Sequence, residues 1–178
     1  MAANNGVLLF HFDRAEAVVG WAAIDDRVMG GVSRSRLRHV PAGHAVFEGQ
    51  VSLAQGGGFA SVRTPIGTAG AAGAADAAGA AGATDAVIEV RGPPLRFKLA
   101  LFMADGADAP SYQHDFVPSA DRWTALRLPL AQFVPRSRGR EVAGAPPLDA
   151  TQLRQVGLMI AGRQAGPFAL DLRSIALA

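Results

Sequence analysis

"SRSRLRHV" (Ser33–Val40) and "AVFEGQVSLA" (Ala45–Ala54) both alternate with a period of two. On an extended chain Arg34, Arg36 and Arg38 share one face. In the second run Val46, Glu48 and Gln50 oppose Phe47, Val51 and Leu53. The irregularity at Gly49 is expected to mark a bulge. Further short runs extend the pattern along the chain: "VLLFHF", "FASVRT", "AVIEVRG", "LRFKLALFM", "SYQHDFV", "WTALRLPL", "QVGLMIAG" and "FALDLRSIALA". Gly, Pro, Asp and Ser sit between them. Many short strands at turn-separated spacing read as an all-β sandwich or barrel. Helix signals are few. Arg14–Trp21 allows one or two turns, and Asp149 or Thr151 can cap a short helix before the run that starts near Val156.

The chain has 178 residues, 49% of them apolar, which fits one domain with a real core. We expect a single domain over 1–178. The Ala/Gly-rich stretch 67–86 is expected to be a flexible surface insertion, because it has nothing large to bury. A phosphate cradle there is disfavoured, since no Gly-Lys-Ser/Thr follows. With no cysteine, disulfides, thiolate metal sites and cysteine nucleophiles are excluded. The formal net charge is only +2, and Lys98 is the one lysine. So small a charge gives little footing for nucleic acid, and none is expected as a partner. The N-terminus lacks a basic n-region and a long apolar run, so no signal or transit peptide is expected. No stretch approaches the roughly 20 apolar residues of a membrane span. The expected setting is the cytoplasm, without membrane insertion.

Catalytic and metal signals are sparse. The four histidines, His11, His39, His44 and His114, show no metal-ligand spacing. His114 and Asp115 are strand neighbours and should point to opposite faces. No serine lies in a Gly-x-Ser-x-Gly setting. The expectation is therefore no catalytic residue, no metal and no cofactor.

The chemistry concentrates in "WAAIDDRVMGGVSRSRL" (Trp21–Leu37) and "QGGGFASVR" (Gln55–Arg63). Asp25 and Asp26 can be read as an acid–base pair, a calcium ligand or a turn. Glycosidase chemistry wants two carboxylates flanking one bond, and calcium wants more oxygens than two neighbours provide. A turn, in which Asp bonds its own backbone two residues on, is the plain reading. Gly30 and Gly31 allow positive φ or close backbone approach, and Met29 is a soft apolar contact. In the second stretch Phe59, Ser61 and Arg63 share one face, and Ala60 and Val62 take the other. An aromatic, a hydroxyl and a guanidinium on one surface suit a carbohydrate or peptide ligand. "VPRSRGR" (Val134–Arg140) is an exposed basic loop or an anion clamp.

Together with "SYQHDF", "RWTALRLPLAQFVPRSRGR" and "PLDATQLRQVGLMIAGRQAGPFALDLRSI", these blocks resemble, in order, the domain of the complex I intermediate-associated protein 30 family. The resemblance runs from about Leu8 to Ile175. It implies a galactose-binding-domain-like jelly roll, similar to carbohydrate-binding modules. Eukaryotic members of that family assist assembly of respiratory complex I, NADH:ubiquinone oxidoreductase, and this chain looks like the bare bacterial form. The family's positions map onto Trp21, Asp25, Asp26, Met29, Gly30, Gly31, Ser33, Gly57, Gly58, Phe59, Ser61, Arg63, Tyr112, Arg138 and Gly139, which form the expected binding set. "VRGPPLRF" departs from the family's acid-and-tyrosine turn.

The expected function is a non-enzymatic binding or assembly module for a protein partner, with a carbohydrate-binding module as the alternative and a hydrolase as a weaker one. Trp123 is expected to be a buried anchor over Leu126 and Leu128. The stretch "DDRVMGGVS" is expected to fold back on "GGGFASVR". Buried carboxylates need a guanidinium or backbone N–H groups, so Asp25 or Asp26 is expected to engage Arg63 or Arg138.

Overall fold

A computed structural model of the chain describes residues 6–67, 77–106 and 108–178. Two antiparallel sheets pack face to face as a jelly-roll sandwich. The first sheet contains β1 (Val7–His11), β3 (Arg34–Val40), β4 (His44–Val51), β6 (Asp85–Arg91), β9 (Thr124–Pro129) and β13 (Gly166–Leu177). Its order is β3-β4-β13-β6-β9, and β1 also pairs with β13. The second sheet contains β2 (Ala22–Ala23), β5 (Ala60–Pro65), β7 (Phe97–Phe102), β8 (Ser111–Phe116), β10 (Val134–Ser137), β11 (Arg140–Glu141) and β12 (Gln155–Ile160). Its order is β11-β10-β8-β7-β12-β5-β2.

The alternation in the sequence does what a half-buried sheet requires. Phe47, Ile88, Val90, Leu170 and Leu172 of the first sheet face Val62, Leu99, Leu101, Val156, Leu158 and Ile160 of the second, all buried. Phe47 sits edge-on to Phe168 at 4.9 Å, and Phe97 stacks near Phe116 at 6.0 Å. The long strand β13 carries the first sheet. It pairs β4 along Gly166–Leu172, β6 along Asp171–Leu177 and β1 near its end. Short 3-10 turns replace helices, at Ala15–Val18 and Ala150–Gln152 among others. Asp149 caps the second of these by accepting from the Thr151 N–H at 2.9 Å.

Four sequence expectations change. Gly49 is not a bulge, since the register runs through it on both sides. Irregularities fall instead between Leu8 and Phe10 and between Leu172 and Ser174. Trp123 is only partly buried and does not cap Leu126 and Leu128 in the core. The guanidinium groups of Arg91 (4.8 Å) and Arg173 (4.1 Å) lie over its ring, with His44 at its edge (5.2 Å). Cation–π packing thus holds it on the outer face of the first sheet. "VPRSRGR" is not a loop but the hairpin β10–β11, with positive φ at Arg138 (50°) and Gly139 (78°) as in a type I′ turn. Of the expected insertion 67–86, residues 68–76 lie outside the described residues. Residues 77–86 belong to the domain: Ala80 is 2% exposed, and the Thr84 and Asp85 N–H groups donate to the Ala178 carbonyl.

Gly49 has a different task. A Cβ built there would lie 2.0 Å from the Arg34 carbonyl oxygen on β3. Backbone cannot yield as a side chain can, so Gly49→Ala is expected to cost about 2 kcal/mol or more. Urea denaturation checks this, with the m-value unchanged and the midpoint lowered.

Candidate functional site: a carboxylate clasp and the turn it carries

Ile24 extends the β2–β5 ladder, donating its N–H to the Ser61 carbonyl at 2.8 Å. The chain then leaves the sheet and makes one 3-10 turn, Asp26–Met29, closed by Gly30 at φ 89°. Asp25 and Asp26 precede and open this turn, and both point inward. Asp25 is 7% exposed and Asp26 1%.

Asp26 accepts four hydrogen bonds: from the Ser33 N–H (2.9 Å), the Ser33 hydroxyl (2.5 Å), the Gly58 N–H (2.7 Å) and the Phe59 N–H (3.3 Å). Asp25 accepts three: from the Ser35 N–H (2.9 Å), the Ser35 hydroxyl (2.5 Å) and the Ser61 N–H (2.9 Å). Ser35 stands on β3 of the first sheet and Ser61 on β5 of the second. Asp25 therefore ties the two sheets together where their edges meet. Asp26 does the same one step further out, between the start of β3 and the approach to β5. The serines extend the network. The Ser52 N–H donates to the Ser33 hydroxyl at 2.9 Å, and the Ser61 hydroxyl donates to the Ile24 carbonyl.

Burial is the largest influence on the Asp26 carboxyl and by itself raises its pKa. The Ser33 hydroxyl and the N–H groups of Gly58, Ser33 and Phe59 together outweigh it and hold the pKa below the usual value. Asp26 is thus an anion solvated by protein donors in place of water.

The glycines explain themselves against this carboxylate. A Cβ at Gly31 would sit 2.4 Å from Asp26 Oδ1, and one at Gly57 would sit 2.6 Å from Oδ2. Only hydrogen at these positions lets the backbone close on the anion.

The fold-back of "DDRVMGGVS" onto "GGGFASVR" is present, but the expected arginine partners are not. Arg63 lies over the Phe102 ring at 4.9 Å, and Arg138 pairs with Asp108 at 2.7 Å on the open surface. The reason is geometric. Donors from strand starts and serines reach both carboxylates without moving a cation out of water. Arg138 and Gly139 sit at the β10–β11 edge of the second sheet, four strands away from β5, so they do not join the clasp. Tyr112 is also elsewhere: it is 2% exposed, and its hydroxyl donates to the Pro146 carbonyl at 2.6 Å. Trp21 packs on Phe10 (5.3 Å) and Phe12 (6.0 Å), with its indole Nε1 buried and without a hydrogen-bond partner among the described residues.

Around the clasp the structure thus gathers Asp25, Asp26, Gly30, Gly31, Ser33, Gly57, Gly58, Phe59 and Ser61. Arg63 follows on the same strand, facing outward. Met29 crowns the turn at 69% exposed, beside Val28 at 75% and Val32 at 45%. Sequence reasoning missed Val28 and Val32, and it missed Ser35 and Ser52 within the network. For Ser35 a signal was available, since Ser33 and Ser35 alternate with the outward arginines 34, 36 and 38 and so must face inward. Among the described residues, no group of three or more His, Cys, Asp or Glu could hold a metal, and no helix is long and apolar enough to cross a membrane.

Two antiparallel sheets, joined at one edge by the Asp25–Asp26 clasp, make up the jelly-roll sandwich. The model of the complex I intermediate-associated protein 30 family matches residues 10–172, so the chain belongs to that family. An uncharacterised protein of Schizosaccharomyces pombe is 36% identical over 76 residues, which is 40% of this chain and 35% of that relative's length. Among solved structures, a family 11 carbohydrate-binding module from Clostridium thermocellum, in complex with a β-1,3-1,4-mixed-linked tetrasaccharide, aligns with TM-score 0.62 at 15% identity. That alignment covers 97% of this chain and 94% of the module. A family 29 carbohydrate-binding module aligns at TM-score 0.55 and 7% identity, covering 98% and 91%. These likenesses establish the fold.

Replacing Asp26 with Asn would set an amide N–H₂ against the N–H groups of Gly58 and Phe59. The expected cost is about 2–4 kcal/mol, because buried donors lose their acceptor. The wild-type contribution should be full above the unfolded carboxylate value, about pH 3.9, and should fade as pH falls through the lower folded value. Denaturant titrations from pH 7 to pH 2 check this: the Asp26→Asn variant should lack that acid-side loss.

Proposed function

We propose that the chain is a non-enzymatic binding module that helps assemble a protein complex, and that its partner seats on the turn Asp25–Ser33. The supporting observation is the contrast within that turn. Its base is fixed by seven hydrogen bonds to two buried carboxylates, while its crown exposes Val28, Met29 and Val32. Exposed apolar side chains on a mobile loop gain little on binding after their ordering cost. On a pre-ordered turn that cost is already met within the fold. Methionine adds adaptability to the contact. Membership of a family named for complex I assembly is consistent with such a role, for a respiratory or another complex.

The test is site-specific photocrosslinking in the native host. A photoreactive residue at Val28 or Met29 should yield one discrete adduct with a single protein. The same residue at Arg127, on the far side, should yield none, and Asp26→Asn should weaken the adduct by loosening the turn. Crosslinks of equal pattern from both places would defeat the proposal.

A carbohydrate-binding role is the second reading, and it draws on the fold likeness to carbohydrate-binding modules, one of them in complex with a tetrasaccharide. Sugar platforms use exposed aromatic faces. Here Trp21 and Tyr112 are packed, and Trp123 carries the guanidinium groups of Arg91 and Arg173 over its ring. Calorimetric titration with a β-1,3-1,4-mixed-linked tetrasaccharide is therefore expected to show no saturable heat. A clear isotherm would favour the second reading over the first.

A further inference from the structure

The outer face of the second sheet carries a cation, Arg63, with no acidic partner among the described residues. Arg63 pairs across β12 with Gly157, which pairs with Ala100 on β7, so an arginine and two small residues form one row. The Arg63 side chain crosses this row diagonally and lays its guanidinium over the Phe102 ring at 4.9 Å. Gly157 makes the crossing available. A Cβ there would stand 3.6 Å from the Arg63 Cβ, 3.7 Å from the Phe102 ring and 3.0 Å from the Val62 carbonyl oxygen. On the other flank Arg63 pairs with Ala22 of the edge strand β2.

The group is partly buried, and burial lowers its pKa with no acidic neighbour to offset the effect. On the neighbouring strand β7, Lys98 pairs with Asp115. The nearby Asp105 accepts from Gln155 at 2.7 Å and not from Arg63. Among the described residues, nothing accepts from the Arg63 guanidinium.

We infer that Arg63, held flat on Phe102 over Gly157, is the anchor of a site for an organic carboxylate on the outer face of the second sheet. A guanidinium is a planar fork of five donors that matches a carboxylate with two parallel bonds. Its orientation is set before the ligand arrives, since the ring fixes one face and the glycine sets the path of the stem. One uncompensated positive charge matches a monoanion. A phosphate dianion would want a second free cation, and Lys98 is already neutralised. The site is independent of the apolar turn: it lies on the sheet face, and its test does not depend on a protein partner being found.

The experiment is an NMR titration of the full ¹⁵N-labelled chain with four probes: sodium glucuronate, sodium N-acetylglutamate, glucose and inorganic phosphate. Saturable shifts are expected at the Arg63 Nε–H and at the amides of Phe102 and Gly157, with one or both carboxylates. Glucose should give none, and phosphate should bind more weakly than the better carboxylate. Saturation by glucuronate alone identifies a sugar acid as the ligand. Saturation by N-acetylglutamate alone identifies an acidic amino-acid side chain, and saturation by both leaves the carboxylate itself as the determinant. Arg63→Gln should weaken binding at least about tenfold, the equivalent of one charge-assisted bond. Arg63→Lys keeps charge and stem but loses the fork, and should also bind more weakly while preserving the fold. No saturable shift with either carboxylate, undiminished binding in both variants, or tighter binding of phosphate would overturn the inference.

Discussion

Two adjacent carboxylates inside a protein are a severe constraint. Each must be met by donors, and repulsion between them must be offset, or the chain will not bury them. Here Asp25 and Asp26 are met by N–H groups and hydroxyls from three separate segments: the start of β3, the approach to β5 and β5 itself. The requirement thereby becomes an assembly instruction. The donors converge only when β3 of the first sheet and β5 of the second come together at one edge. Glycines 31 and 57 follow from the same demand, because the anion and the backbone must touch. The clasp is therefore a device that sets how the two sheets meet, and the 3-10 turn that emerges from it inherits a fixed position.

That rigidity separates two kinds of surface. At the clasp, buried polar groups are satisfied and the crown is apolar. Its valines and methionine have no internal role that would explain their exposure. At the opposite edge, the β10–β11 hairpin exposes Arg138 paired with Asp108, both about four-fifths exposed, where an ion pair contributes little. The outer face of the first sheet is different again. Arg36 and Arg38 share Glu48, and Arg91 and Arg173 lie over the Trp123 ring while Asp171 balances Arg91. Such mutual pairing marks a solvated structural face. Against this background the unpaired Arg63 and the uncovered Val28–Met29 crown stand apart as places where the fold leaves interactions unmade.

Much of this was legible beforehand, and the limits have physical causes. Strand alternation exposes the sandwich because each strand buries one face, and Ala60 and Val62 fall inward as the period of two requires. The fold-back of the acidic turn was legible because charge needs donors. The identity of the donors was not, because most are backbone N–H groups, which carry no signature in residue type. Ser33 was legible through the family resemblance, and Ser35 only as the reverse side of an arginine stripe. The Arg138–Gly139 turn was missed because a type I′ pair is usually announced by Asn-Gly. Tyr112 and Trp123 depend on partners 32 residues and more away in the chain, Pro146 for one and Arg91 and Arg173 for the other. Local pattern cannot reveal such pairings. Family membership supplied the overall topology but not the chemistry of either exposed site, since a fold hosts many functions.

The central claim is that the Asp25–Asp26 clasp is a rigid junction between the sheets and not a loop contact. Native-state hydrogen exchange reads this amide by amide. The N–H groups of Ser33, Ser35, Gly58 and Ser61, each bonded to one of the two carboxylates, should exchange as slowly as core amides of β13, opening only with the domain as a whole. Exchange of these four at the rate of unprotected surface amides, while β13 stays protected, would show that the junction opens on its own and would contradict the account.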